Sequence, residues 1–330
     1  MGVLALGSSA CNDGEVDNEA WGAGSDPSSE GATGTNGTNS TSDGTGSVTS
    51  DDASTTSDDS ETGPVLDVGG GTTGGTGNTT DPVTCEEAAV ERTYVGCDFW
   101  PTVTYNPVLE NFDFAVAVAN GNSEEVNVTV ERNGSMVAMV TIPAGDLGQI
   151  ELPWVAELKG PQFNAQTTGD RPSESIRVDG GAYHLTSDLP VTAWQFNPLQ
   201  YEDEVSDCAL VQMIGLPDPS CLSVCNDAAL LIPSTAMTGN YRVFLKDSVK
   251  GTTGGFDDTP ASIAITATVD NTSVDIELTA TAQVVAGPGV NAIPAGGTAN
   301  FTLDAGDVLQ LMGQPGPFWG DPHSDLSGSL

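Results

Sequence analysis

The chain has 330 residues, room for two domains with a core each, and 46 acidic against 8 basic residues give a formal net charge of −38. Such a surface repels phosphate backbones and anionic headgroups, which excludes nucleic acid as a partner and leaves a membrane reachable only through an attached lipid. Forty glycines and twenty prolines, with abundant Thr and Val, favour short strands and turns over long helices.

The first stretch, "MGVLALGSSAC" (1–11), runs from apolar residues through small ones into Cys11. Small residues before a cysteine, with a polar stretch after it, resemble the end of a bacterial lipoprotein signal. In such a signal the thiol is diacylated and the cysteine becomes the mature N-terminus. The usual Leu three places before the cysteine is Ser8 here, and Leu6 stands two places further back. A full secretory signal also has a basic start and a longer apolar centre, so the sequence reads as beginning inside one. Cys11 is therefore the expected lipidation site, with an ordinary secreted tail as the other reading.

Residues 12–82 are Ser, Thr, Gly, Asn and Asp with few large apolar side chains, and they contain no Lys or Arg. A segment of this composition does not bury enough surface to offset its ordering entropy, so a disordered acidic stalk is expected. As a coil it would span about 45 Å root-mean-square. No apolar run in the chain approaches the roughly 20 residues of a membrane helix.

From about residue 90 the apolar period becomes two. "FDFAVAVAN" (112–120), "VNVTV" (126–130), "MVAMVTI" (136–142) and "GQIEL" (148–152) read as strands, and "SIRVDGGAYHLTSDLPVTAWQF" (175–196) as further short ones. "NYRVFLK" (240–246), "SIAITATVD" (262–270), "SVDIELTATAQVV" (273–285), "ANFTL" (299–303) and "DVLQL" (307–311) continue the pattern. The halves resemble each other: "TIPAGDLGQIEL" (141–152) falls on "AIPAGGTANFTL" (292–303), and "FAVAVAN" (114–120) on "ITATVDN" (265–271), at one shared offset of 151 (293 − 142 = 151). The expected fold is all-β: two tandem β-sandwich-like modules at 83–200 and 226–330, joined by a cysteine-containing loop at 201–225. The second module matches the first only as far as "GGAY" (180–183), at "LSGSL" (326–330), so it is expected to be truncated at its C-terminal end.

Five cysteines follow the stalk. Cys85 and Cys97 flank one short segment, while Cys208, Cys221 and Cys225 cluster in another. In an exported chain disulfides are the default, with Cys85–Cys97 the first pair and Cys208–Cys221 the second. A zinc site is the sharper alternative for the cluster, although no histidine lies near it. The odd count leaves one thiol free or bonded outside this sequence.

"YVGCDFWPTVTYNP" (94–107), "FAVAVAN" (114–120), "IPAG" (142–145), "GAYHLTSDLPVTAWQFNPL" (182–199) and "NDAALLIP" (226–233) resemble the IgGFc-binding protein N-terminal domain, as found on myxobacterial-type lipoproteins. The likeness covers roughly residues 85–330. It implies an all-β extracellular module, usually followed by further sequence with the equivalent closing strand and more cysteines. It carries no catalytic motif or ligand-contact set onto numbered residues here.

Only His184 and His323 are available as imidazoles, so zinc hydrolysis and triad chemistry lack their parts, and no enzyme activity or cofactor is expected. Asp257 and Asp258 in "GGFDDTP" are the weak calcium candidates, against a plainly solvated loop. Trp100, Trp154 and Trp194 are weighed as sugar-stacking residues, with Trp194 read as core; Trp319 in "FWGDPHS" is the one candidate ligand contact. The functional expectation is a lipid-anchored, surface-exposed outer-membrane lipoprotein that binds an extracellular protein or glycan without catalysis. The alternatives are a carbohydrate-binding accessory part of a larger envelope hydrolase, or a purely structural envelope component.

Overall fold

A computed structural model describes residues 3–8, 81–106, 108, 111–160, 174–203, 221–223, 228–245, 247–249, 260–314, 322–323, 326 and 328–329. The fold is all-β, as composition and period predict. Strand β1 (Val3–Ser8) stands far from the rest in sequence. Helix α1 (Cys85–Glu91) follows, then β2 (Gly96–Phe99), β3 (Phe114–Ala119), β4 (Val126–Arg132), β5 (Ser135–Ile142), β6 (Leu147–Leu152), the one-turn helix α2 (Ala156–Lys159), β7 (Ile176–Val178) and β8 (His184–Phe196). Two-residue strands β9 (Glu202–Asp203) and β10 (Cys221–Leu222) pair with each other, and β11 (Ala228–Leu230) comes next. The remainder is β12 (Arg242–Val243), β13 (Ser248–Val249), β14 (Ser262–Ala267), β15 (Thr272–Leu278), β16 (Thr298–Leu303), β17 (Val308–Met312), β18 (Pro322–His323) and β19 (Gly328–Ser329).

The first sandwich is organised by β8. Its His184–Ser187 half pairs with β4, and β2 joins it on the other side; its Thr192–Phe196 half pairs with β3, and β11 joins there. Two antiparallel sheets, β5-β4-β8-β2 and β6-β3-β8-β11, therefore share one strand that passes between them at Asp188-Leu189-Pro190. Proline suits that passage because the corner asks for no ladder N–H from it. Phe99, Phe114, Val116, Val118, Val128, Val130 and Leu185 fill the space between the sheets. Burying each of them contributes about 1.5–3 kcal/mol relative to exposure.

The second sandwich repeats this plan. One sheet has the order β16-β15-β19-β12 and the other β17-β14-β1, with β7 added beyond β17. Its core is Ile263, Ile265, Val274, Ile276, Leu303, Leu309 and Leu311. The duplication is present, but its register differs from the sequence alignment at 151. Asn120 N–H donates to the Asp146 carbonyl and Gly145 N–H to the Asn120 carbonyl, both at 3.0 Å; the same pair of bonds joins Ala267 to Asp307 (3.1 Å) and Gly306 to Ala267 (2.8 Å). Gly145 and Gly306 both sit at positive φ, 74° and 87°, as this corner requires. The corners therefore correspond at an offset of 161 (307 − 146 = 161), while Asn120 and Ala267 correspond at 147 (267 − 120 = 147). The cause is an insertion. β4 and β5 are joined by the tight turn Asn133-Gly134, whereas residues 279–297 join β15 to β16 and carry the misleading Ile-Pro-Ala-Gly.

A buried polar seam runs between elements of both sandwiches. Residues 100–106 lie outside any helix or strand and residues 100–105 are buried, so other groups must satisfy their backbone. Gln195 of β8 accepts from Thr102 N–H (2.9 Å) and donates to the Thr102 carbonyl (3.1 Å). Gln310 of β17 accepts from Tyr105 N–H (2.8 Å) and donates to the Leu158 carbonyl (2.9 Å). The Thr102 and Thr266 hydroxyls meet at 2.8 Å, and Asn197 donates to the Thr104 hydroxyl at 2.9 Å.

Candidate binding site

The strand pairings of the two repeats can be superposed residue by residue. Val126 opposite Ile142 corresponds to Thr272 opposite Leu303, and three residues further along β4 and β15 Thr129 opposite Met139 corresponds to Asp275 opposite Asn300. In β15 the even positions 272–278 are buried and Ser273, Asp275 and Glu277 point outward. The outward residues of β16 are Thr298, Asn300 and Thr302. Asn300 donates to Asp275 Oδ1 at 2.7 Å and to Ser273 Oγ at 2.9 Å, which fixes the amide across the strand pair.

Asn240, Tyr241 and Arg242, at the entry to β12, close the other side of this face. The result is a groove of about 830 Å³ lined by carboxylates, amides, one guanidinium and one tyrosine. Tyr241 accepts Thr238 N–H on its hydroxyl at 3.1 Å, which steadies the ring at the edge of the groove. Donors and acceptors of both kinds beside an aromatic ring suit a hydroxyl-rich or peptide ligand, held by hydrogen bonds with little apolar burial. The same face of the first repeat is mixed: Thr141 donates to Asn127 Oδ1 at 2.8 Å and the Asn127 amide to Asp188 at 2.7 Å, beside Met136 and Met139, which are 59% and 61% exposed.

A second polar cluster holds the start of the first sandwich. Asp98 receives His184 Nε2 (2.7 Å) on one oxygen and Trp100 Nε1 (3.1 Å) on the other, and Trp100 stacks on the His184 ring with centroids 4.2 Å apart. Burial pushes the Asp98 carboxyl upward, but the hydrogen bonds from His184, Ser234 and Trp100, with the nearby imidazole, outweigh it and hold the group below its ordinary 3.8. Ser234 reaches Asp98, so the carboxylate collects three donors and the arrangement is a brace between β2, β8 and the turn at Ser234–Ala236.

Next to the brace, Cys85 and Cys97 are joined as a disulfide, the first pair expected. Trp100 is 8% exposed and therefore closed to a sugar. Trp154 packs on Phe114 and under the Lys159 ammonium, and Trp194 is half-buried on β8. Cys11, Cys208, Cys225, Asp257, Asp258 and Trp319 lie outside the described residues, as does the Cys221 side chain. Among the described residues no group of three or more His, Cys, Asp or Glu is arranged to hold a metal, and no helix is long and apolar enough to cross a membrane.

The groove was not singled out by the sequence. Its signal was the alternation of "TSVDIEL" (272–278), which places Asp275 and Glu277 on the outer face. Comparison with known proteins adds to this geometry. The model of the IgGFc binding protein family matches residues 227–330, a stretch that contains every residue lining the groove. That family is one of binding domains. No curated protein and no solved structure matches the chain.

Proposed function

We propose that the chain is a non-enzymatic binding protein of the cell exterior, with the polar groove of the second repeat as its ligand surface. One observation carries this reading. The Asp275–Asn300 pair and its neighbours form a hydrogen-bonding groove inside the stretch similar to a binding family, and the position that Asn300 fills is an exposed methionine, Met139, in the first repeat. The ligand class is an extracellular protein or glycan whose hydroxyl and amide groups exchange hydrogen bonds with Asp275, Glu277, Asn300 and Arg242. Cys11 is the proposed lipid anchor, and residues 12–82 are the proposed spacer between an outer membrane and the two sandwiches.

An immobilised IgG Fc fragment, intact and enzymatically deglycosylated, together with a glycan array, tests the groove. Binding that falls about tenfold or more in an Asp275→Ala/Asn300→Ala variant whose melting temperature drops by only a few degrees supports it. Binding that is indifferent to the double variant places the ligand elsewhere. The anchor is tested separately by incorporation of a labelled fatty acid, which Cys11→Ser abolishes. Shaving intact cells with a glutamate-specific protease tests exposure, because Glu15, Glu19, Glu30 and Glu61 are cleavable and the spacer offers trypsin no site.

A further inference from the structure

The corner of the second repeat and the outer edge of β17 are filled by β7, with Val178 opposite Val308, Arg177 opposite Leu309 and Ile176 opposite Gln310. Arg177 Nη2 reaches Asp307 at 2.8 Å, Arg177 Nη1 the Thr302 carbonyl at 3.0 Å, and Gly180 N–H the other Asp307 oxygen at 2.9 Å. At the offset of 161 the acceptors Thr302, Asp307, Val308, Leu309 and Gln310 become Thr141, Asp146, Leu147, Gly148 and Gln149 (302 − 161 = 141, 310 − 161 = 149). The register is the same in both repeats: Leu147 faces Ala119 on β3 as Val308 faces Thr266 on β14. Among the described residues, however, β6 ends its sheet with β3 as its one strand neighbour, and the Asp146 side chain has no partner. Exposure follows. Val308 and Gln310 are 0% and 2% exposed, whereas Leu147 is 52% exposed and Gln149 open to solvent.

We infer that this corner of the first repeat, Asp146 with the outer edge of β6, is a docking site for the β7-type strand of a further sandwich. Its occupant is an extended segment with one arginine between two β-branched residues, the chemistry of Ile176-Arg177-Val178. The acceptors dictate that choice. A free strand edge offers main-chain bonds, and Leu147 beside it takes an apolar neighbour. The Asp146 carboxylate and the Thr141 carbonyl suit a guanidinium, whose fork serves two acceptors at once. An acidic chain also draws a cationic strand toward it. Residues 12–82 contain no Lys or Arg, so the stretch that leads into the first sandwich does not supply this strand. In the second repeat the strand is locked in place, because the Pro288 carbonyl of the 279–297 insertion accepts Arg177 N–H at 2.9 Å. The first repeat has only the Asn133-Gly134 turn there, so its occupant is held along one edge and is free to exchange. All residues of the site lie between 119 and 149, and none lines the polar groove, so the two sites are tested independently.

The test uses the full chain and a fluorescent peptide of residues 174–181, Glu-Ser-Ile-Arg-Val-Asp-Gly-Gly, titrated at low ionic strength because so short a strand binds weakly. Saturable binding is expected, with amide exchange slowed at residues 147–151. The same peptide with alanine in place of its arginine should bind about fivefold more weakly, and so should the original peptide to an Asp146→Asn variant. Asp146→Lys should remove binding altogether. Both substitutions fall on an exposed side chain and leave the fold intact, which the melting temperature checks. No binding by the unaltered chain overturns the inference. So does binding that ignores Asp146→Lys, or protection confined to residues 308–312, which would mean that the peptide had merely replaced β7.

Discussion

Asp146 and Asp307 occupy the same place in two copies of one corner, yet one is exposed and the other 5% exposed. In the first repeat the Asp146 side chain faces water, and the corner is held by its backbone and by the Asn120 amide, which donates to the Ile142 carbonyl at 3.0 Å and the Pro143 carbonyl at 2.9 Å. In the second, Asp307 takes Arg177 Nη2 at 2.8 Å, Gly180 N–H at 2.9 Å and Asp304 N–H at 3.0 Å, which ties residues 177–180 to the second sandwich. The sequence pattern Ala-Gly-Asp is shared, and what differs is the chain that packs against it. A duplicated motif keeps its backbone role while its side chain is free to become a joint.

Substitution at the two positions should separate those roles most sharply. Asp307→Ala leaves Gly180 N–H without its acceptor and Arg177 without its buried partner. A loss of about 3 kcal/mol is expected, toward the low end for a broken buried pair because Arg177 is partly solvated. Asp146→Ala should cost less than about 0.5 kcal/mol. Urea unfolding of both variants measures the contrast, and equal losses would mean that the corner acts through its carboxylate in both repeats.

Gln149 and Gln310 also correspond at the offset of 161, and they form the next comparison (310 − 149 = 161). Gln149 is exposed and donates to Glu151 at 3.3 Å, whereas Gln310 satisfies Tyr105 N–H and the Leu158 carbonyl inside the seam. Gln310→Leu should therefore destabilise by about 2 kcal/mol, the cost of stranding buried backbone groups, and Gln149→Leu by next to nothing. A smaller effect distinguishes the Asp98 brace, which has no counterpart among the described residues of the second repeat. Its carboxyl is held below the ordinary value of 3.8, so its contribution is present above that pH and is lost as pH falls through the lowered folded value. Asp98→Asn should remove that part of the acid sensitivity, read as a flatter melting temperature against pH below 3.8.

These joints also mark what the sequence could not disclose. Alternation located strands such as β4 well, because one of its faces lies in a core: Val126, Val128 and Val130 are all buried. In sequence, Asp-Leu-Pro at 188–190 looks like a break between short strands, yet one strand runs through it by changing sheets. The short helix α1 has no apolar stripe to reveal it, and its only advance sign is the cap, where Thr84 accepts from Glu87 N–H and Glu87 accepts from Val83 N–H. The amides of Gln195 and Gln310 are silent in sequence, since their partners lie 93 and 205 residues away. The groove was half legible: its outward carboxylates follow from period two, but their contrast with Met139 appears only once the repeats are aligned through their hydrogen bonds.

The smallest expected change in stability is at the groove, and its smallness carries information. Asp275 and Asn300 form an exposed cross-strand pair, worth about 0.2–1 kcal/mol. Asn300→Ala should therefore lower the melting temperature by only about 1–3 °C. Met139→Asn, which places an amide at the matching site of the first repeat, should leave it unchanged, because an exposed methionine gives up little there. If Asn300→Ala instead lowers the melting temperature by many degrees, the amide is holding β15 to β16 and the polar face is structural. If the loss is small and ligand affinity still falls, the polar character of this face serves recognition, and the two repeats have diverged from one sheet pattern into a support and a binding surface.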